Sequence, residues 1–436
     1  MQRLTNSLLF SRLHALVFAT VVSIGSVTAF AQESDLAALR AAPATDAGAQ
    51  LRLGRALRRA GHFDEAVRAL RVAARGPTRA EALFETARVR FDQNDFRAAR
   101  SVCNTVPAGV MRSVCLARAH LVWQRAALAV TEINRARALD PNNAELKLVV
   151  ADAARISGRL QEAEAGYREA ATALPNRAEP HIGLGILFET ANRLDDARAA
   201  FQRAVDADSH DPVAALYLGK LLKKQRNFDA ALLLLQRANA DRPSWAEALV
   251  ALGDVLLARN ALPEALTALQ RATEIDPNQP GAQSALGRVH LRAGRLVEAA
   301  APLRAAIQQV ANDADARVAY AELLGRTEQG RESLDEWNRA IDLLPTDPMP
   351  RMRAAQQALS MRESTLASAY LERILADNPQ HSGALLMRAD IAFENNDRRS
   401  ARQLYQQALA GRGEFDRAHA TARIQEIDAP PRQRRR

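Results

Sequence analysis

Prolines stand at Pro141, Pro175, Pro243, Pro277, Pro345 and Pro379, and every gap between neighbours is 34 or 68 residues. A fixed period of this length restricts a chain to architectures that stack one supersecondary unit many times. The two slots without proline fall at Ser209 and Ala311. A second ladder of the same period runs Ala136, Ala170, Ala204, Ala238, Ala272, Ala306, Ala340 and Ala408, with Ile374 in the remaining slot. A third runs Ala129, Ala163, Ala197, Ala231, Ala265, Ala299, Ser333, Ala367 and Ala401. Three ladders in one register tie residues 110–415 into nine 34-residue units.

Within each unit the apolar residues recur at helical spacing, as in Leu249, Leu252, Val255 and Leu256, then Ala265, Leu266, Leu269 and Ala272. A short turn near the middle carries Gly or Asn beside a charge, as at Gly158-Arg159, Asn192-Arg193 and Gly294-Arg295. Each unit therefore reads as two helices folded into a hairpin. Gly185, Gly219, Gly253 and Gly287 lie on the first helix, where a small residue lets two helices approach closely. They are expected to face the ladder alanine of the second helix, with the bulky slot (Ile133, Tyr167, Phe201, Leu235, Leu269, Leu303, Trp337, Leu371, Tyr405) filling the space beside them. Proline is expected to stop the second helix, because it lacks an amide donor and clashes with the preceding turn. One hairpin cannot bury both faces, so neighbours must stack.

Leu184-Gly185, Leu218-Gly219, Leu252-Gly253 and Leu286-Gly287, the spaced alanines and aromatics of the second helix, and the closing proline resemble the tetratricopeptide repeat family. The resemblance implies an all-α, right-handed α-solenoid that binds protein or peptide partners. The first-helix Trp of that family is missing from nearly every unit. Before residue 110 the register loosens into two less regular repeats over 47–109, one around Leu53-Gly54, Ala66, Leu70 and Ala73, the other shortened around Ala87, Phe91, Ala99 and Pro107. Residues 32–46 read as a short helix and linker, 416–428 as a capping helix that covers the last apolar face, and 429–436 as a basic tail.

The N-terminus sets the expected compartment. Arg3 and Arg12 precede an apolar run ending in Ala29-Phe30-Ala31, the pattern of a signal peptide over 1–31 with cleavage near Gln32. A periplasmic or secreted protein follows, without a transmembrane span after cleavage; the alternative is an inner-membrane anchor formed by an uncleaved N-terminal helix. Without Arg3 and Arg12, 57 Lys and Arg face 50 Asp and Glu, and Arg432, Arg434, Arg435 and Arg436 sit in the final residues. The body is thus only mildly basic, and its few aromatics offer little for stacking nucleobases, so nucleic acid is not an expected partner. The tail suits contact with anionic lipid or polysaccharide at the envelope surface.

No constellation points to catalysis, a metal or a cofactor. No two histidines share the i, i+4 spacing of a helical metal site, and Ser and Asp fall in turns and caps, as at Ser157 and Asp195. Cys103 and Cys115 lie six residues either side of Gly109, on helices that should face each other. They form either a disulfide, which an exported protein would oxidise, or a pair of small buried apolar residues.

In the family this chain resembles, first-helix side chains line the inner groove. One inward slot is Arg55, Arg88, Arg118, Asp152, Ile186, Lys220, Asp254, Arg288, Glu322, Gln356 and Asp390; a second begins Leu51, Phe84, Val114. The basic start of the first slot, with Arg58 and Arg59, predicts a positive strip for an acidic partner segment, flanked by apolar contact from Leu51, Phe84 and Val114. The alternatives are a solvated helix face for the arginines and packing inside the repeat for the apolar slot. The Lys and Asn pair with which chaperone-binding members hold a terminal carboxylate is missing from these slots. A signal peptide joined to such an array resembles subunits of secretion, exopolysaccharide-export and surface-motility machines. An accessory subunit presenting substrate to a separate enzyme is a further reading.

Overall fold

A computed structural model describes residues 36–429. The signal segment expected at 1–31 and the tail from residue 430 onward lie outside the described residues. The chain divides into two compact units, with the boundary between Ile275 and Asp276. Each is an α-solenoid of stacked helical hairpins, with no strand among the described residues.

The first unit begins with a helical segment at 36–40 whose Leu36 is buried. Seven hairpins follow: Ala47–Arg59 with Phe63–Ala73 (hairpin 1), Arg79–Asp92 with Phe96–Thr105 (2), Val110–Val122 with Ala126–Leu139 (3), Ala144–Ile156 with Leu160–Ala173 (4), Glu179–Thr190 with Leu194–Ala207 (5), Pro212–Lys224 with Phe228–Asp241 (6), and Ala246–Ala258 with Leu262–Ile275 (7). The second unit holds Ala282–Arg292 with Leu296–Gln309 (8), Ala314–Arg326 with Gly330–Leu343 (9), Pro348–Ser360 with Ser364–Asp377 (10), and Ser382–Glu394 with Arg398–Ala410 (11). Its last helix, Arg417–Asp428, buries Ala420 and Ile427 against Ala389, Ala401 and Tyr405.

Local chemistry explains where the helices start and turn. Side-chain oxygens of Asp46, Asn143, Asp211, Asp313 and Asp347 accept hydrogen bonds from backbone amides of the first turn, which otherwise have no partner. Between the two helices of a hairpin one residue takes a positive φ, and these residues also recur every 34 positions: Gln124, Gly158, Asn192, Arg226, Asn260, Gly294, Glu328, Arg362 and Asn396, at 55° to 74°. Gly and Asn tolerate that conformation; Gln124, Arg226, Glu328 and Arg362 hold it because the packed hairpin imposes it. Proline is not what ends the second helix. Those of hairpins 5 and 8 stop at Ala207 and Gln309, two residues before Ser209 and Ala311, just as the others stop two residues before their prolines. The hairpin geometry sets the stop, and proline conforms to it.

The small first-helix slot works differently from the expected arrangement. A methyl group on Gly185 would lie 2.2 Å from the Phe201 ring, and one on Gly253 would lie 2.5 Å from Leu269. The glycine therefore receives the bulky second-helix residue itself rather than the ladder alanine, and any side chain there would overpack the crossing. Cys103, on the second helix of hairpin 2, is joined to Cys115, on the first helix of hairpin 3, with 5.4 Å between their Cα atoms. Both sit in the core with Phe84, Val114 and Ile133.

Candidate partner-binding site

First helices of the first unit line a cavity of about 330 Å³. Its walls carry Arg58 and Arg59 from hairpin 1, Arg88 from hairpin 2, Arg118 from hairpin 3, Asp152 and Arg155 from hairpin 4, Ile182 and Ile186 from hairpin 5, Tyr217 from hairpin 6, and Arg242 after it. The first unit coils tightly enough for its early hairpins to meet its later ones. Arg59 reaches Asp208 at 2.7 Å, a contact between residues 149 positions apart. The Arg242 guanidinium lies over the rings of Phe63 and Trp245, 4.8 and 4.7 Å from their centroids. Arg88 hydrogen-bonds Glu179 across the same space. The result is a partly enclosed chamber and not an open channel.

These contacts correct the expectation of a free positive strip. Arg55 pairs with Glu81 and Glu85, each at 3.0 Å, and does not line the chamber. Arg58 pairs with Asp92 at 2.8 Å and Glu85 at 3.5 Å. Arg88, nearly buried, lies between Glu85 and Glu179. Glu179 and Glu145 are in turn bridged by Arg177, at 2.7 and 2.9 Å. A network of carboxylates and guanidiniums thus runs through hairpins 1 to 5, and it consumes most of the charge that the arginine ladder supplies. Leu51, Phe84 and Val114 also differ from the expected role. They are 5%, 3% and 0% exposed, packed inside the hairpin cores, because this slot points toward the second helix and the neighbouring hairpin.

The electrostatics follow from burial and neighbours. Burial alone would raise the Glu85 carboxyl, but Arg88, Arg58 and Arg55 outweigh it and hold the group down at about 2. Asp211 goes the other way: burial and the nearby Glu179 push it up to about 6. Asp152 is also raised, by burial, although it accepts a 2.6 Å hydrogen bond from the Tyr167 hydroxyl. Arg155 donates to that same hydroxyl at 3.0 Å. These two carboxyls of the chamber wall thus take up a proton more readily than an exposed carboxylate does. Among the described residues no group of three or more His, Cys, Asp or Glu is placed to hold a metal ion, and no helix is long and apolar enough to cross a membrane.

The acidic partners of the arginines were missed in the sequence, yet they carry a signal. Glu145, Glu179, Glu247 and Asp315 occupy one slot of the 34-residue register. Three of them pair with a basic residue 27 positions earlier, in the preceding hairpin: Arg118 with Glu145 at 3.8 Å, Lys220 with Glu247 at 3.1 Å and Arg288 with Asp315 at 3.3 Å.

The tetratricopeptide repeat profile matches residues 51–109, 175–212, 216–280, 277–316 and 352–417, more than half of the chain. No curated protein sequence matches it. In structure it is similar to a tetratricopeptide repeat protein from Parabacteroides merdae (TM-score 0.44, 15% identity, covering 58% of this chain and 99% of that one). It is also similar to pilF of Pseudomonas aeruginosa (TM-score 0.43, 18% identity, 49% and 97% covered). A third likeness is to the APC/C hetero-tetramer Cut9-Hcn1 (TM-score 0.49, 10% identity, 93% and 94% covered). With hairpins stacked at a 34-residue period and the repeat profile matched in five stretches between residues 51 and 417, the chain belongs to the tetratricopeptide repeat family, a scaffold suited to protein–protein interaction.

Proposed function

We propose that this protein is an exported, periplasmic, non-enzymatic scaffold of a Gram-negative-type envelope, which receives a short acidic segment of a partner protein in the chamber of its first unit. The chamber is the observation that carries the reading. It combines apolar walls from Ile182 and Ile186 with guanidiniums from several hairpins, the mixture that anchors an extended segment by both burial and charge. Its volume of about 330 Å³ suits a few residues rather than a folded domain. Export rests on the signal segment read at 1–31 and fits the joined Cys103 and Cys115, a pairing at home in an oxidising compartment. Membership of a secretion, exopolysaccharide-export or surface-motility assembly rests on the combination of signal segment and repeats, an argument by analogy.

The test uses the full chain, tagged and purified from its native host beside an Ile186→Trp variant. Ile186 is half-buried on the chamber wall, where a large neutral ring would fill the space without adding charge. The expected result is loss of the principal co-purifying protein with helicity unchanged. Recovery of the same partner in the same amount would overturn the chamber as the binding site.

A further inference from the structure

Six arginines line the chamber, and their hydrogen bonding divides them. Arg58, Arg59 and Arg88 are committed to carboxylates of the chain itself, and Arg155 to the Tyr167 hydroxyl. Arg118 and Arg242 remain. The carboxylate of Glu145 stands 3.8 Å from Arg118, beyond hydrogen-bond range, and it already accepts from Arg177 at 2.9 Å. The Arg242 side chain donates no hydrogen bond and meets no carboxylate within ion-pair distance among the described residues; its guanidinium lies over the rings of Phe63 and Trp245. Ring faces satisfy the charge in part and leave the in-plane N–H donors unused. Burial disfavours the charge of Arg242 and lowers its pKa despite Asp92 and Glu247 nearby. A half-buried guanidinium whose donors meet no acceptor of the chain itself is open to an incoming carboxylate.

We propose that Arg118 and Arg242 are the residues that read the partner's charge, each receiving a side-chain carboxylate of an acidic peptide segment. This rests on the chamber being the partner site. The two come from different hairpins and reach one cavity only through the coiling of the first unit, so they require two carboxylates on one ligand to be engaged together. The aromatic faces fix Arg242 before binding, which reduces the rotamer entropy lost on complex formation. Planar, bidentate pairing favours carboxylates over neutral acceptors.

The experiment measures fluorescence anisotropy of a labelled hexaglutamate peptide, blocked at both ends, titrated with the full chain at low salt. Binding is expected, weakening about tenfold in Arg118→Gln and again in Arg242→Gln, as loss of one charge-assisted hydrogen bond each implies. Arg242→Lys should recover part of the affinity, and Arg97→Gln, which removes an exposed arginine on the second helix of hairpin 2, should change nothing. Circular dichroism of each variant checks that the helices are intact. Hexaglutamate that fails to bind the wild type, binds the double variant equally well, or still binds Ile186→Trp would overturn the proposal. Should that happen while Ile186→Trp still abolishes capture of the native partner, the chamber stands as the partner site and only the carboxylate reading falls.

Discussion

Glu85 shows how a single side chain sets the energetics of the groove. It is 4% exposed and serves Arg55, Arg58 and Arg88 at once. Its removal leaves three cations without their shared partner, two of them largely buried, and breaking one side of a buried ion pair is far more damaging than its absence from the outset. Its carboxyl lies at about 2, against an ordinary 4.5. That difference corresponds to roughly 3 kcal/mol of stability for Glu85→Gln. Because the folded value is depressed, this stabilisation is present above about pH 4.5 and is lost as pH falls through about 2. Thermal melts should therefore show wild type losing more stability than Glu85→Gln across that window, and the two curves should be furthest apart at neutral pH. Asp211 has the opposite sign. Its folded value is raised to about 6, so its contribution is full below the ordinary carboxylate range and lost as pH rises through 6. Asp211→Asn keeps an acceptor for the Ala214 amide and should raise the melting temperature at pH 7, but not at pH 4. Equal melting of Asp211→Asn and wild type at both pH values would remove Asp211 from the electrostatic account.

At the scale of the helical hairpin, the repeating left-handed residue is the point where backbone chemistry and side-chain identity disagree. The second unit holds Glu328 and Arg362 at φ 62°, in the turn positions where Gly294 sits one hairpin earlier and Asn396 one hairpin later. An L side chain pays about 1 kcal/mol in this region, whereas glycine does not, and the extra freedom of glycine in the unfolded chain offsets part of the gain. Arg362→Gly is therefore expected to stabilise the protein by about 0.5 kcal/mol, seen as a small rise in the denaturation midpoint without a change in slope. A lowered midpoint would mean that the side chain at 362 makes a contact worth more than the backbone strain. The hairpins themselves were legible in the sequence because each is closed by short-range marks: the small slot of the first helix, the alanine and bulky slots of the second, the turn residue and the capping Asp or Asn. Where proline was read as the stop signal, the mark was a companion of the turn and not its cause, as the helix ends before Ser209 and Ala311 show.

Across the first unit as a whole, what could be read was part of the set of residues that face inward, and what could not be read was how closely the hairpins return on themselves. Arg55, Arg58, Arg59, Arg88 and Arg118 were placed on the groove from the register and the family resemblance; the last four line the chamber and Arg55 does not. The pairing of Arg58, Arg59 and Arg88 with Glu85, Asp92, Asp208 and Glu179 was missed, although Arg58 meets Glu85 at a spacing of 27 residues that recurs between Lys220 and Glu247 and between Arg288 and Asp315. Arg242, Asp208, Trp245 and Phe63 carried no signal at all. Their meeting depends on the accumulated rotation of five or six hairpins, a quantity that no single repeat encodes and that small differences at each crossing change. Hydrogen–deuterium exchange of the full chain, alone and with its co-purified partner, tests the central claim most directly. The account predicts new protection concentrated in Val110–Val122, Ala144–Ile156 and Glu179–Thr190, the first helices that wall the chamber, with little change in Ala126–Leu139 and Leu160–Ala173. Protection confined to those second helices, or to residues beyond Ile275, would contradict it.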